Sequence, residues 1–150
     1  GGGVMRDLSH ELDLAQFLFG EILSHEGSAA RTSDVTLDSE DSATFQLKCQ
    51  NCPNVEVHMN YLDMQPCREW EIETDIGIIT ADLIRRSITI GDETQVIACE
   101  SDDAYQAMHQ AALRDDTSVC SLDDALKIVQ VIDAVPFTAG NSSSIQAHTA

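Results

Sequence analysis

Residues 1–20 read GGGVMRDLSHELDLAQFLFG, and this stretch predicts the helix on which the rest of the chain packs. At about 100° per residue five apolar side chains of residues 4–19 fall in one stripe, which is typical of a helix with one face in the core. The stripe consists of Met5, Leu8, Leu12, Ala15 and Phe19. Asp7 and His10 lie outside it, three residues apart, and would be neighbours on the helix surface. A carboxylate beside an imidazole suits proton transfer near neutral pH, although most such pairs on helices are only solvated.

Composition limits the class of protein. The chain has 150 residues, of which 43% are hydrophobic, enough for one domain with a core. Its net charge of −18, from 26 acidic and 8 basic residues, argues against nucleic acid or a membrane surface as a partner. The sequence has no apolar run long enough for a membrane helix and no recognisable signal peptide. Because it does not begin with Met, we expect it to be part of a longer protein.

The five cysteines form an odd set that lacks the density of a disulfide framework. Free thiols in a cytoplasmic protein are therefore the simplest interpretation. Cys49 and Cys52 form a C-x-x-C pair, but no second pair and no H-x-x-x-H supplies further zinc ligands. Pro53 marks a turn rather than the helix that opens a thioredoxin-like site. We therefore predict a hairpin loop at this pair and no metal site.

Strands are predicted for the middle of the chain. The opening helix ends at Gly20, a C-cap glycine, and residues 21–27 are predicted to be a connector. From residue 29 onward the pattern is that of strands rich in β-branched residues and separated by turn clusters. The predicted strands are residues 31–37, 43–49, 55–62, 68–74, 76–82, 87–90 and 95–99.

Two helices are predicted to close the domain. The first ends near residue 114 and has Tyr105, Met108, Ala112 and Leu113 at helical spacing. The second is capped by Ser121 in the sequence S-L-D-D and stops before Pro136. Its predicted buried face consists of Leu122, Ala125, Leu126, Val129 and Ile132. Residues 137–150 have little to bury and are predicted to be a disordered tail.

The order of elements predicts an α+β fold. It would be an open, mostly antiparallel sheet of about six or seven strands with helices packed on one face. Apolar residues occur on both alternating sets of strand positions, namely Ile72, Ile76, Ile78 and Ile79, with Trp70 nearby. A sheet face without helices would then expose an apolar patch, and such patches usually mark association surfaces. We therefore expect a homo-oligomer that packs through the open sheet face, unless another part of the chain covers it.

Several segments together resemble the C-terminal domain of the Gfo/Idh/MocA family, the relatives of glucose-fructose oxidoreductase and inositol dehydrogenase. Residues 1–20 are similar to the family's opening segment, with its glycines, Asp, His, second Asp and apolar stretch ending in Gly. DSATFQLKC (41–49) and CREWEIETDIGIITADL (67–83) resemble a strand and a hairpin of that domain. DAYQAMHQAALRD (103–115) and SLDDALKIVQVIDAV (121–135) resemble its two closing helices. The segments span residues 1–136 in the family's order.

The resemblance implies that residues 1–136 are the substrate-binding and oligomerisation domain of an NAD(P)-dependent dehydrogenase of sugars, cyclitols or related polyols. His10 would transfer the proton at the substrate hydroxyl or carbonyl, with Asp7 as its acidic companion. Asp13 would be structural or line the pocket. Hydride transfer would be the work of NAD or NADP. By polarity alone, Tyr61 and Arg68 are further candidates for substrate binding, although each is explained as readily by a structural role.

The resemblance also implies a missing N-terminal Rossmann domain. The glycines at residues 1–3 are not G-x-G-x-x-G and follow no strand. The family's Lys-Pro motif is absent, because the only lysines are Lys48 and Lys127. We therefore expect this fragment to bind no cofactor and to be inactive alone.

Two other classes of function stay open. One is a non-catalytic binding or oligomerisation module. The other is a metal-dependent hydrolase, with Asp7, His10 and Asp13 as ligands and His58 or His109 completing the set.

Overall fold

The chain forms two compact units in its computed structural model. The structure describes residues 2–33, 38–100, 102–114, 116 and 119–138. The first unit comprises Gly1–Leu62 and Cys120–Ala150, and the second comprises Asp63–Val119. In chain order the elements are α1 (Val4–Asp7), α2 (Ser9–Phe19), β1 (Ile22–Ala30), β2 (Ser42–Cys49), β3 (Val55–Asn60), β4 (Glu69–Thr74), β5 (Gly77–Asp82), β6 (Ser87–Ile90), β7 (Glu93–Val96), α3 (Asp103–Leu113), α4 (Leu122–Asp133) and β8 (Phe137–Thr138).

The first unit is a four-stranded sheet in the order β3-β2-β1-β8, contacted by helices. Along β2 and β3 every second side chain is buried, as a half-covered sheet requires. The buried set is Ala43, Phe45, Leu47, Cys49, Val55, Val57 and Met59. Helix α1 contacts β2 and β3, and α2 contacts β3 and α4. The alternating apolar side chains that identified these two strands in the sequence therefore form the core of the unit. The C-x-x-C pair lies at the hairpin between the two strands, as predicted.

The first strand begins within the predicted connector, so the prediction for residues 21–27 is wrong from residue 22 onward. Strand β1 is central in the sheet, but its sequence ILSHEGSAA is poor in strand-forming residues. Packing explains the glycine in this strand, because a Cβ on Gly27 would come within 2.6 Å of Val135 and 3.3 Å of Phe45. The predicted strand at 31–37 is also wrong for residues 31–33, which are not in a strand, and residues 34–37 lie outside the described residues.

The opening helix is broken at Leu8. With φ −104° and ψ 21°, Leu8 ends α1 and precedes α2, whereas the sequence predicted one helix over residues 4–19. Of the predicted stripe, Met5, Leu12 and Ala15 are buried, and the helix ends before Gly20, whose φ is 82°. Because Asp7 and His10 now belong to different helices, helical spacing no longer places them side by side.

The second unit contains a separate antiparallel sheet in the order β4-β5-β6-β7. The α+β class and the mostly antiparallel pairing are confirmed, and β1–β8 is the one parallel pair among the described strands. The strands form two four-stranded sheets, however, rather than one of six or seven. The eight residues 61–68, which include Pro66 and contain no strand, separate β3 from β4.

The register of the second sheet sorts its side chains by polarity. Trp70 pairs with Ala81, and Ile72 with Ile79, so these share one face. Ile78 pairs with Glu73 on the opposite face, and Ile76 lies in the turn before β5. The opposite face carries mostly polar side chains: Glu69, Glu71, Thr80, Asp82, Ser87, Thr89 and Thr94. The expectation of apolar residues on both faces is therefore wrong for most of this sheet.

The last helices differ from prediction in which residues they bury. Helix α3 has no buried residue. Helix α4 buries Ile128, Val131 and Ile132, whereas four of its five predicted core residues are exposed, namely Leu122, Ala125, Leu126 and Val129. The predicted tail is wrong at its first two residues, which form β8, and residues 139–150 lie outside the described residues. In the described part of the chain, every helix is too short or too polar to cross a membrane.

Candidate functional site

Asp7 is held by a tyrosine from the end of β3. The Tyr61 hydroxyl donates a hydrogen bond of 2.6 Å to Oδ2 of Asp7, across 54 residues of sequence. Partial burial, and then this hydrogen bond, raise the pKa of Tyr61 to about 12, so the phenol stays protonated and donates at any working pH. The structure thus brings two predicted site residues together, in a pairing that the sequence did not indicate.

A buried acidic pair lies beneath this contact. Glu40 is 8% exposed, and its backbone carbonyl accepts a hydrogen bond from the Val4 N–H at 3.2 Å. Its side-chain Oε1 accepts from the Met5 N–H, also at 3.2 Å, and so binds the first turn of α1. A Cβ on Gly3 would overlap the Glu40 carboxylate, which is why a glycine stands there. Sequence analysis missed Glu40, since an acidic residue in a turn cluster normally signals solvent.

Asp41 is fully buried and fastens the turn that leads into β2. Its two carboxylate oxygens accept from the backbone N–H and the hydroxyl of both Thr32 and Ser33, at 2.5–3.0 Å. Burial opposes its ionisation, but these hydrogen bonds outweigh burial and lower the pKa of Asp41 to about 2. Its backbone carbonyl accepts from the Tyr61 N–H at 3.0 Å. Residues 40 and 41 therefore hold both α1 and Tyr61.

His10 is on the surface of α2, beside a different carboxylate from the one predicted. Its Nε2 lies 3.2 Å from Oε1 of Glu11, whose side chain is only 13% exposed, while the His10 side chain is 50% exposed. The imidazole is therefore accessible to a ligand and has a carboxylate within hydrogen-bonding distance. That arrangement can give or take a proton. The structure gives Asp7 and His10 separate partners, Tyr61 and Glu11.

The two other predicted residues, Asp13 and Arg68, have partners of their own. Asp13 accepts a hydrogen bond of 3.1 Å from the Cys120 thiol, and its carboxylate thereby joins α2 to the residue that precedes the N-cap of α4. Burial, and then the bond to Asp13, raise the pKa of Cys120 to about 11, so this thiol is not an activated nucleophile. Arg68 belongs to the second unit, where its carbonyl accepts from the Leu83 N–H at 2.9 Å.

The described residues offer no support for a metal centre. Among them, no three His, Cys, Asp or Glu side chains are grouped so that they could hold a metal ion. The proposed ligands of the metal-hydrolase alternative, Asp7, His10 and Asp13, form no such group in the described residues, and each contacts a different partner.

The described residues also do not fit a dinucleotide. A dinucleotide is bound where a parallel βαβ unit presents a glycine-rich turn at a helix N-terminus. Here the described ladders are antiparallel apart from the two-residue pairing of β1 with β8.

Comparison with known proteins identifies the fold. No protein-family model matches the sequence, and no curated protein matches it. Solved structures do match. UDP-N-acetylglucosamine 3-dehydrogenase GnnA from Acidithiobacillus ferrooxidans is 20% identical with a TM-score of 0.68, over 88% of this chain and 46% of that chain. D-galactose-1-dehydrogenase from Rhizobium etli is 10% identical with a TM-score of 0.68, over 93% and 45%. The chain has a Gfo/Idh/MocA-type fold.

A third matching structure contains bound ligands. WlbA dehydrogenase from Bordetella pertussis, solved with NADH and UDP-GlcNAcA, is 17% identical with a TM-score of 0.64, over 88% of this chain and 44% of that chain. The chain therefore spans less than half the length of these dehydrogenases. At these identities the likeness establishes the Gfo/Idh/MocA-type fold, which agrees with the resemblance of the sequence segments.

Proposed function

We propose that this chain is the substrate-binding and oligomerisation domain of an NAD(P)-dependent dehydrogenase that acts on a sugar, cyclitol or related polyol. The observation that carries the proposal is the fold match, which covers 86–93% of this chain but only 42–47% of oxidoreductases that include sugar and sugar-nucleotide dehydrogenases. Binding of NAD or NADP is assigned to a Rossmann domain elsewhere in the protein. The chain alone is then expected to be inactive.

His10 is proposed as the acid/base at the substrate oxygen. Its half-exposed imidazole can accept a proton from a hydroxyl or return one to a carbonyl. When bound, the nicotinamide would supply the hydride chemistry. Glu11, whose Oε1 lies 3.2 Å from Nε2, would orient the imidazole ring.

Asp7 is proposed to bind a substrate hydroxyl. Asp7 is exposed, and its Oδ2 accepts the hydrogen bond from the Tyr61 hydroxyl. Asp13 is better explained as structural, because its carboxylate is bonded to Cys120. A pocket role for Arg68 stays a prediction. The five free thiols favour a cytoplasmic location.

Oligomerisation is proposed to use the open face of a sheet. On the second sheet, the exposed Ile90 shares one face with Ile72, Ile79 and Ile88, which are only partly buried. Burial of such groups favours association. Light scattering on the purified protein tests this, and a monomer at all concentrations would reject it.

The test of the function is turnover by the longer protein. The full-length protein is mixed with NAD or NADP and a panel of UDP-sugars, free sugars and cyclitols, and reduction of the nicotinamide is followed by absorbance. We expect reduction with at least one substrate, and none from residues 1–150 alone. Absence of reduction with the whole panel, together with a coding sequence that lacks a Rossmann segment, would favour the non-catalytic binding module.

A further inference from the structure

We infer that Tyr61 is a positioning residue that fixes the Asp7 carboxylate for a substrate hydroxyl, rather than a residue that binds substrate itself. The inference rests on the proposed function and assigns Tyr61 a role within that site. It starts from the 2.6 Å hydrogen bond between the Tyr61 hydroxyl and Oδ2 of Asp7.

Both ends of Tyr61 are held. Its backbone N–H donates to the carbonyl of Asp41 at 3.0 Å, and Asp41 is the fully buried carboxylate that fastens the preceding turn. Its hydroxyl reaches Asp7. The neighbouring residue, Asn60, accepts from the Leu62 N–H through Oδ1 at 2.7 Å and so supports the turn after β3. Hydrogen bonds at both the backbone and the hydroxyl therefore hold Tyr61 in one orientation.

The other end of the contact is held by the same pair of acidic residues. Asp7 ends α1, whose first turn is bound at Val4 and Met5 by Glu40. Two adjacent residues therefore anchor both partners, because the Glu40 carbonyl binds α1 and the Asp41 carbonyl binds Tyr61. The separation between Asp7 and Tyr61 is then set by buried backbone contacts, which gives the carboxylate a defined orientation.

The two oxygens of the Asp7 carboxylate have different surroundings, and this difference fits the positioning role of Tyr61. Oδ2 is occupied by Tyr61. Oδ1 lies beside Gly2, where a Cβ would come within 3.0 Å, and both residues are exposed. A glycine at position 2 therefore leaves Oδ1 open to a hydroxyl donor. The Tyr61 proton is already donated to Asp7, so the phenol has no donor left for a ligand.

The pairing is tested first on residues 1–150 by absorbance titration of the phenols. The chain has two tyrosines, and Tyr105→Phe leaves the signal of Tyr61 alone. We expect that phenol to titrate near pH 12, and Asp7→Asn to move it toward 10, the ordinary value. Circular dichroism at each pH confirms that the chain is folded. An unchanged titration in the Asp7→Asn variant would overturn the pairing.

The role is tested by a double-mutant cycle in the full-length enzyme. We expect Asp7→Asn and Tyr61→Phe each to lower kcat/KM by about tenfold, the effect of one hydrogen bond to a charged group. In the Asp7→Asn background, Tyr61→Phe should change kcat/KM by less than about twofold, because Tyr61 acts through Asp7. The matched control is Tyr105→Phe, an exposed phenol in α3 that should leave kcat/KM unchanged.

The outcomes separate the inference from the function on which it rests. Additive losses from Asp7→Asn and Tyr61→Phe would mean that Tyr61 meets substrate independently, which overturns the inference. A full-length protein that reduces no nicotinamide refutes the function and removes the role, while the phenol titration still decides whether the pair exists.

Discussion

Different interactions stabilise the interior of each of the two units. In the described residues, every buried apolar side chain except Trp70 belongs to the first unit. The second unit has three hairpins whose turns are tied by polar contacts, such as Thr74 to Gly77 at 2.7 Å and Thr89 to Thr94 at 2.9 Å. The comparison teaches that the first unit has the packed core needed to hold a site rigidly, whereas the second depends on its ladders and turns.

The largest expected effect comes from the core of the first unit. Phe45 is fully buried in β2, so Phe45→Ala should lower the free energy of unfolding by about 4 kcal/mol through lost burial and a cavity. The matched change in the second sheet is Ile90→Ala, at a side chain that is 46% exposed, which should cost about 1 kcal/mol or less. Urea unfolding followed by circular dichroism measures both. Equal losses of unfolding free energy in the two variants would contradict the difference between the two units.

The next effect concerns the buried Asp41. Asp41→Ala leaves the donors of Thr32 and Ser33 without their acceptor and should cost about 3 kcal/mol. Asp75→Ala, at an exposed turn in the second unit, should cost almost nothing. Thermal unfolding of the two variants measures the difference.

The loss of stability at low pH should also reveal the contribution of Asp41. The pKa of Asp41 is lowered from 3.8 to about 2 on folding, so its stabilisation is complete above about pH 4 and is lost as the pH falls from 4 toward 2. The Asp41→Ala variant should lack this component of the acid dependence. An Asp41→Ala protein with the wild-type slope between pH 4 and 2 would show that Asp41 is not the responsible carboxylate.

The smallest effect is at the start of α4. The Ser121 hydroxyl accepts from the Asp124 N–H at 3.1 Å, and Ser121→Ala should cost about 1 kcal/mol. Ser121→Asn, which keeps an acceptor at the cap, should cost less than half of that. If Ser121→Ala unfolds at the same urea concentration as the wild type, the cap contributes nothing to the first unit.

Local patterns predicted much of the fold because they depend on neighbouring residues. The cap at Ser121 and the alternation of β2 and β3 are examples. Strand β1 was missed because its Gly27 is required by Val135, more than a hundred positions away. The buried face of α4 was misjudged since apolar side chains surround much of this helix, and only packing selects Ile128 over Leu126.

The candidate site could be predicted only in part. Asp7, His10 and Tyr61 were proposed from the sequence, but their partners depend on contacts between distant segments and on the break at Leu8. Glu40 and Asp41 were not proposed at all. Their sequence context indicates a turn, and only the folded chain shows that they are buried beneath α1 and Tyr61.

The most direct test of the central claim is the turnover of the full-length protein with His10→Ala. If His10 transfers the substrate proton, kcat should fall by roughly 10²–10⁴-fold, while the affinity for the nicotinamide cofactor and the thermal stability stay unchanged. His109→Ala, at an exposed position in α3, is the control and should retain full turnover. A His10→Ala enzyme with wild-type kcat would contradict the assignment of His10 as the acid/base.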